Sequence, residues 1–550
     1  MSLCDDYIML DLIKSITKQE WKFWAKVLVA VLILTSLSRI FIILWTPHDY
    51  VPRGNSIMSF VDRYVYISYI EQAREGNFLF QDLFTSKEES VPMLNIFWLG
   101  AGLFARFTGF SGNFVLEFLR IALIPLLLFV AYLLLAFFIK NIFQRKLGFL
   151  LAALGGGLGF VLMPVLYLVE VFYPKGAILR DLPVDLDAAE AFLFTTSYYS
   201  AHFIFSTTLF ILILLLTLLA TEKKKVIYAV PAGIMGLVLA NFHPFTIVSL
   251  TFVFGIYFLY LLWQDRKAAF FLFKYFLIYF ALLLPSIIYH LYMFQSPWWQ
   301  NQTWNSTTFR PYFLAIVFGY GLILFFAIYA LILSFKRKLK IKNEKFLLCW
   351  VLGQIVLVFL PISVQGRFFE GYSLALIILA SYPLAGYLEK RSWMTKGKVY
   401  AAAIFLVFFG LSYIFLIFLD LRNTYWRGNL VYIQRDAIEA MEELKNLVGK
   451  DDLILSDIYN ATIIPGISVR RVFVGHGVET IDYERKYKIL KRFMASTDVF
   501  ERKTILESNR IDYLFYDAGW KDYWTWNPDE SDFLQKVYEK GNYKIYKVSL

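Results

Sequence analysis

Residues 60–89 read FVDRYVYISYIEQAREGNFLFQDLFTSKEE, a charged and aromatic stretch set between two long apolar runs, KVLVAVLILTSLSRIFIILWT at 26–46 and another at 119–139. Each run reaches the ~20 residues needed to cross the hydrocarbon layer, so the stretch belongs to a loop held outside the membrane between two spans. At 47–118 this first loop is far longer than a simple connection, and loops of that length are usually functional. Apolar or aromatic residues at 60, 61, 64, 65, 67 and 70 predict a helix lying on the membrane surface, with Asp62, Glu71 and Arg74 at its margins.

The rest of the chain agrees with a membrane reading. Of 550 residues, 59% are hydrophobic and 18% charged, which excludes intrinsic disorder and an ordinary soluble enzyme. Further apolar segments at 148–168, 202–220, 226–241, 245–263, 269–290, 312–335, 346–363, 372–388 and 399–419 bring the expectation to about eleven spans. The fold class is mostly α, a polytopic transmembrane helical bundle. The two cysteines, Cys4 and Cys349, supply neither a disulfide framework nor a paired-cysteine metal site.

Charge assigns the sides. Lys and Arg number 54 against 43 Asp and Glu, a net charge of +11. The excess sits between apolar runs, which favours topogenic loops over nucleic-acid binding. Basic clusters precede the first span and follow the second, fourth, sixth, eighth and tenth, among them Lys140, Lys223, Arg266, Lys336–Lys340 and Lys390. By the positive-inside rule residues 1–25 and these junctions are cytoplasmic, in an integral plasma (inner) membrane protein with an uncleaved first span. The segment VPMLNIFWLGAGLFARFTGF, 91–110, would invert every later junction if it crossed, so a juxtamembrane or re-entrant helix is expected there. After a transmembrane domain at 26–425, residues 426–550 read as an extracytoplasmic α/β domain. Strand-like DLILSDI and DYLFYD accompany helical patterning at 432–448 and 483–497.

Polar chemistry gathers on the outer side. The span centres carry almost no ionisable residue, unlike a transporter's, whereas the five histidines (His48, His202, His243, His290 and His476) fall in outer segments together with Asp62, Glu190, Arg367 and Glu370. A carboxylate held near the lipid boundary is desolvated, which raises its pKa toward that of a general base. The other reading of Asp62 is a charge that complements a helix dipole. A transporter or lipid flippase, and a non-catalytic assembly protein, stand as alternatives for the whole chain.

The pattern Asp62-x-x-x-Tyr66-x-x-Tyr69-x-x-x-Ala73-x-x-Gly76 after one N-terminal span, with many spans and an outer C-terminal α/β domain, resembles the GT-C class of integral-membrane glycosyltransferases. The likeness is to bacterial protein-mannosyltransferase-like and aminoarabinose-transferase-like enzymes, which take a sugar from a polyprenyl-phosphate carrier. The resemblance implies a transferase, inverting at the sugar, that acts on a glycan, lipid or protein acceptor outside the membrane. It places the family's loop aspartate on Asp62 as general base. Gln365-Gly366-Arg367-Phe368-Phe369-Glu370-Gly371 is similar to a segment before a late span, where Arg367 would meet the carrier phosphate. His202, in the run from Phe194, and His243, in Asn241-Phe242-His243-Pro244, would assist it; Tyr66 and Glu370 are candidate substrate contacts. The chain departs from the family in carrying Glu88-Glu89-Ser90-Val91-Pro92 where a His-Pro-Pro or Lys-Pro-Pro signature is expected, and Trp298-Trp299-Gln300 lies between spans in place of a C-terminal Trp-Trp-Asp.

Other motifs carry less. Asp185-Leu186-Asp187, with Asp49 or Glu88, leaves a divalent metal open against a solvated acidic loop. The run Gly155-Gly156-Gly157-Leu158-Gly159 has no Lys-Ser/Thr after it and reads as close helix packing within a span. Asn301, Asn305 and Asn460 head sequons, and Gly475-His476-Gly477 reads as a turn.

Overall fold

A computed structural model describes residues 8–53, 60–164, 183–305, 313–361, 364–389, 406–426, 431–520 and 524–549. Among them, eight helices are long and apolar enough to cross a membrane: Lys18–Trp45, Gly112–Phe138, Ile142–Pro164, Ala201–Lys223, Pro244–Gln264, Arg266–Met293, Phe313–Phe335 and Gln365–Glu389. Shorter apolar helices cover Val226–Phe242 and Ile96–Thr108, and Glu344–Phe359 and Leu411–Trp426 fall on two further expected segments. Ile96–Thr108 has 13 residues, about 20 Å of helix against a ~30 Å hydrocarbon core. That is short for a crossing. The protein is a helical integral membrane protein, and the chain divides into two compact units.

The first unit comprises Met1–Leu37, Phe118–Tyr289 and Thr307–Asp420. Two of its apolar helices are interrupted at glycine. The glycine run packs closely, as the sequence suggests, but it interrupts its own helix instead of continuing it. The helix Ile142–Leu154 stops at Gly155 in extended geometry, and the freed Leu158 N–H donates to Phe318 O at 2.7 Å. A Cβ at Gly157 would fall on the Gly319 carbonyl, and one at Gly319 on the Val184 side chain. Only glycine lets these backbones meet, and Gly321 adopts φ +47 at the matching break inside Phe313–Phe335. At another edge of the unit Glu20 is buried, accepting from Arg145 Nε at 2.6 Å and the Tyr132 hydroxyl at 2.7 Å. Arg145, in the basic stretch that follows the second apolar run, is thus buried inside the protein.

The second unit comprises Ser38–Glu117, His290–Ser306 and Leu421–Leu550. A short antiparallel pair joins β1 (Tyr50–Pro52) to β2 (Tyr432–Gln434). The main sheet holds β3 (Leu453–Ser456), β4 (Arg471–Val472), β5 (Tyr513–Asp517), β6 (Leu534–Lys540) and β7 (Tyr543–Val548) in the order β4-β3-β5-β7-β6. β3 runs parallel to β4 and β5, while β7 is antiparallel to β5 and β6. Both strands read from sequence, at 452–458 and 512–517, are its central members, and Leu455, Leu506, Leu514 and Tyr546 build the core beneath them.

The loop after the first apolar helix is part of this unit. Val472 N–H donates to Leu83 O at 2.9 Å, and Arg471 Nη1 to Asp82 O at 2.7 Å. The expected surface helix forms at Phe60–Arg74, but it is not laid on lipid. Tyr64, Ile67, Ile70, Glu71 and Ala73 are all buried. Gly102 of Ile96–Thr108 packs so closely that a Cβ there would strike Ala73, and Gly466 of Ile458–Ser468 meets Tyr64 on the other side. Apolar faces that could have faced lipid are covered by protein helices.

Candidate functional site

Asp62 belongs to the second unit, while Arg367, His202, His243 and Glu370 belong to the first. Asp62 sits in the first turn of Phe60–Arg74. His476 Nε2 lies 3.0 Å from its Oδ1, the histidine side chain being 4% exposed and the aspartate 55%. The partner was missed in the sequence, where Gly-His-Gly suggested only a turn. The turn is real and sets the ring: Nδ1 accepts N–H donors from Val478 at 3.2 Å and Glu479 at 3.1 Å. That leaves the ring hydrogen on Nε2, directed at the carboxylate. Burial acts to lower the His476 pKa, but the Asp62 charge, aided by Glu479, raises it above the usual histidine value. The two donors on Nδ1 oppose this, because a cationic ring must release them.

The turn is in turn held from three directions. Thr480 Oγ1 accepts from Gly475 N–H at 3.1 Å and donates to Phe84 O at 2.9 Å. Trp298 Nε1 donates to Glu479 Oε2 at 2.8 Å, and the Asn301 amide donates to Val478 O at 2.8 Å and Thr480 O at 3.1 Å. Asn301, a sequon asparagine by sequence, is thereby committed to the helix Pro297–Asn305 and its dock on the turn. Beside Asp62, Arg63 turns away to Glu117 at 3.0 Å and Asn113 at 3.1 Å, and Tyr66 stacks on Trp98 with centroids 4.8 Å apart.

In the first unit the breaks in apolar helices bring the other expected residues together. Pro244 opens the helix Pro244–Gln264, so the chain bends at His243 after Val226–Phe242. Arg367 lies in the single turn Gln365–Phe369, and Gly371 at φ +75 redirects the chain into Tyr372–Glu389. His202 begins Ala201–Lys223, its Nδ1 3.1 Å from Ser200 Oγ, and its ring centroid lies 6.5 Å from that of His243. His243 stands between two carboxylates, with Nδ1 3.4 Å from Glu370 and Nε2 3.9 Å from Glu190. Glu190 is ion-paired to Arg367, whose side chain is 36% exposed, and the guanidinium lies over the Phe203 ring at 5.6 Å. Glu370 is fully buried; Thr207 donates to it at 3.0 Å, Thr246 also donates, and Gln354 Nε2 donates to its carbonyl at 2.6 Å. Arg367, His202, His243 and Glu370 therefore form one cluster, joined by Glu190.

Asp185 and Asp187 do not act as a pair. Asp185 Oδ2 accepts the Gly157 N–H at 3.0 Å and the Gly159 N–H at 3.2 Å, so the broken glycine run is its cradle. Among the described residues no three His, Cys, Asp or Glu side chains converge as a metal-binding group.

No family model matches the chain, and no curated protein matches it by sequence. Its fold is found in solved structures. The oligosaccharyltransferase AglB from Archaeoglobus fulgidus, solved with an inhibitory peptide and a dolichol-phosphate, superposes with a TM-score of 0.57 at 12% identity, covering 92% of this chain and 70% of that one. ArnT from Cupriavidus metallidurans, bound to undecaprenyl phosphate, gives 0.53 at 11% identity over 96% and 98%. The arabinofuranosyltransferase AftD from Mycobacteria gives 0.51 at 12% identity over 96% of this chain and 40% of that one. With its apolar helices and small C-terminal sheet, the chain has the fold of the GT-C membrane glycosyltransferases.

Proposed function

We propose that the chain is a membrane glycosyltransferase that moves a sugar from a polyprenyl-phosphate carrier to an acceptor outside the membrane. The observation that carries this reading is the Asp62–His476 pair, a half-exposed carboxylate oriented by a buried imidazole 3.0 Å away. The fold shared with enzymes solved with dolichol-phosphate and undecaprenyl phosphate supports the donor class. Fold alone does not specify activity, so the site has to supply the argument.

The step is a single displacement. An acceptor hydroxyl oxygen attacks the anomeric carbon, the bond from that carbon to the phosphate oxygen breaks, and the phosphate leaves with the electron pair. Asp62 takes the hydroxyl proton, a contribution of roughly 10²–10⁴-fold for a positioned base. Attack opposite the leaving group inverts the anomeric centre. Arg367 meets the charge that develops on the phosphate through its planar fork, with His202 and His243 beside it. Tyr66, on its Trp98 platform, contributes an aromatic face to substrate binding. Glu370, already satisfied by threonines and His243, orients that imidazole. No step is assigned to a metal ion.

Asp62→Asn keeps the shape and removes the base. With the fold intact by its melting profile, the variant should retain binding of a polyprenyl-phosphate sugar and lose transfer by at least about a hundredfold. Transfer at the wild-type rate would remove Asp62 from the chemistry.

A further inference from the structure

In the first unit, the termini of three apolar helices surround one cavity: Gly112–Phe138 and Phe313–Phe335 finish there and Ile142–Pro164 begins there. Residues of Gln365–Glu389 complete the lining. The cavity holds about 870 Å³. Helix ends mark the level at which hydrocarbon gives way to headgroups, and Tyr329 and Tyr387, exposed at the cavity, are of the type that settles at that level.

Its lining is two-faced. Phe138, Ile139, Ile341, Pro383 and Ala385 are buried and apolar, whereas Lys140, Lys340 and Lys342 are cationic against the single acid Glu389. Lys342 is an anchor: its ammonium pairs with Glu222 at 2.7 Å and lies 4.2 Å from the Phe137 ring centroid, and its N–H reaches Phe138 O at 3.4 Å. That bond ties the 340–342 strand of loop to the end of Gly112–Phe138. Lys140 and Lys340 are exposed. Asn141 caps Ile142–Leu154 by accepting from Gln144 N–H at 2.9 Å, so the positive end of a 13-residue helix borders the same space.

A cationic rim above an apolar floor, at headgroup level, suits an amphiphile with a phosphate and has no use for the floor if the ligand is a free ion. We propose that this cavity binds the headgroup of an anionic phospholipid, on the membrane face that the basic junctions assign to the cytoplasm. The proposal stands independently of the transferase reading.

The test uses the purified full chain and native mass spectrometry with phosphatidylglycerol, phosphatidylcholine and inorganic phosphate as separate probes. Wild type should retain phosphatidylglycerol about tenfold better than phosphatidylcholine, in line with the attraction of two surface lysines for an anionic headgroup. Lys140→Gln with Lys340→Gln should abolish that preference, while Lys336→Gln with Arg337→Gln, which removes equal charge from the same loop outside the cavity, should leave it. Equal retention of the two lipids by wild type would overturn the proposal, as would an equal loss in the control variant. Inorganic phosphate displacing phosphatidylglycerol at equal concentration would overturn the lipid as ligand.

Discussion

His476 Nε2 donates to Asp62 Oδ1 across 3.0 Å although 414 residues separate the two in the chain. The contact is supported from both sides. Asp62 rides on a helix whose neighbours are close enough to require glycine at Gly102 and Gly466, and His476 rides on a turn fixed by Phe84, Trp298 and Asn301. Holding one half-exposed carboxylate in a single orientation has thus recruited the first loop, a segment near residue 300 and the C-terminal sheet domain. Such supporting bonds matter because a reacting group gains most when its geometry is set before substrate arrives.

His476→Ala should therefore lower kcat by about ten- to a hundredfold, the equivalent of the 1.5–3 kcal/mol of one hydrogen bond to a charged group. KM for the lipid-linked donor should change little if, as proposed, the histidine positions Asp62 as base and does not hold the carrier. His476→Gln, which can still present an N–H to Asp62, should recover part of the loss. Steady-state kinetics on the three proteins, with circular dichroism to confirm folding, separate this from a structural defect. An equal loss in the Ala and Gln variants would deny the positioning role.

Glu190 sets the second expectation. Its carboxylate holds Arg367 and lies 3.9 Å from His243, with Glu370 on the far side of that ring. An arriving phosphate would compete with Glu190 for the guanidinium, and two carboxylates near one anion repel it. Glu190→Gln should tighten binding of a polyprenyl phosphate several-fold, whereas Arg367→Gln should weaken it by at least about tenfold, the loss expected for a charge-assisted bond. Tryptophan fluorescence titration with the carrier phosphate reads both. Opposite signs are required; weakening by both substitutions would mean that Glu190 supports the carrier rather than restraining its arginine.

Much of this was legible locally. Long apolar runs announced the helices, and β-branched and aromatic clusters announced β3 and β5; Arg367, His202, His243 and Glu370 stood among the polar residues between apolar segments, and only the family resemblance singled them out. What failed depended on partners distant in sequence. Hydropathy at 60–74 shows that a face must be covered but not whether lipid or protein covers it; here Ile96–Thr108 and Ile458–Ser468 do. Gly475-His476-Gly477 has the chemistry of a turn, and nothing nearby names Asp62. The apolar pattern continues across Gly155–Gly159, so the helix break becomes intelligible only once Asp185 is seen to need its N–H groups.

The glycine at 102 offers a test of packing in the second unit. A Cβ there would overlap Ala73 Cβ and come within 2.7 Å of Ile70 O. Gly102→Ala should destabilise the protein by about 1–3 kcal/mol, the usual cost of overpacking. Ala73→Gly in the same chain should restore part of it, because one of the two obstructions is removed. Thermal melting of the single and double variants measures the coupling. Simple additivity would mean that the cost at Gly102 does not arise from contact with Ala73.

Asp185 makes the stability of the protein depend on pH in a definite direction. It lies between the apolar helices Ile142–Pro164 and Ala201–Lys223, its Oδ1 is buried without a hydrogen-bond partner, and burial pushes its pKa up to about 7 against the bonds from Ser412, Gly159 and Gly157. In the unfolded chain the value is about 3.9. Between roughly pH 4 and 7 the folded protein keeps a proton that the unfolded chain has given up, so stability falls as pH rises through that window. The titratable neighbours Tyr320 and Tyr413 are phenols and do not ionise over this range. Asp185→Asn carries no such proton: relative to wild type its melting temperature should rise between pH 5 and pH 8, leaving the variant the more stable protein at pH 8. Scanning fluorimetry in one detergent at both pH values is sufficient. Parallel shifts of the two proteins would show that the glycine cradle holds Asp185 as an ordinary carboxylate.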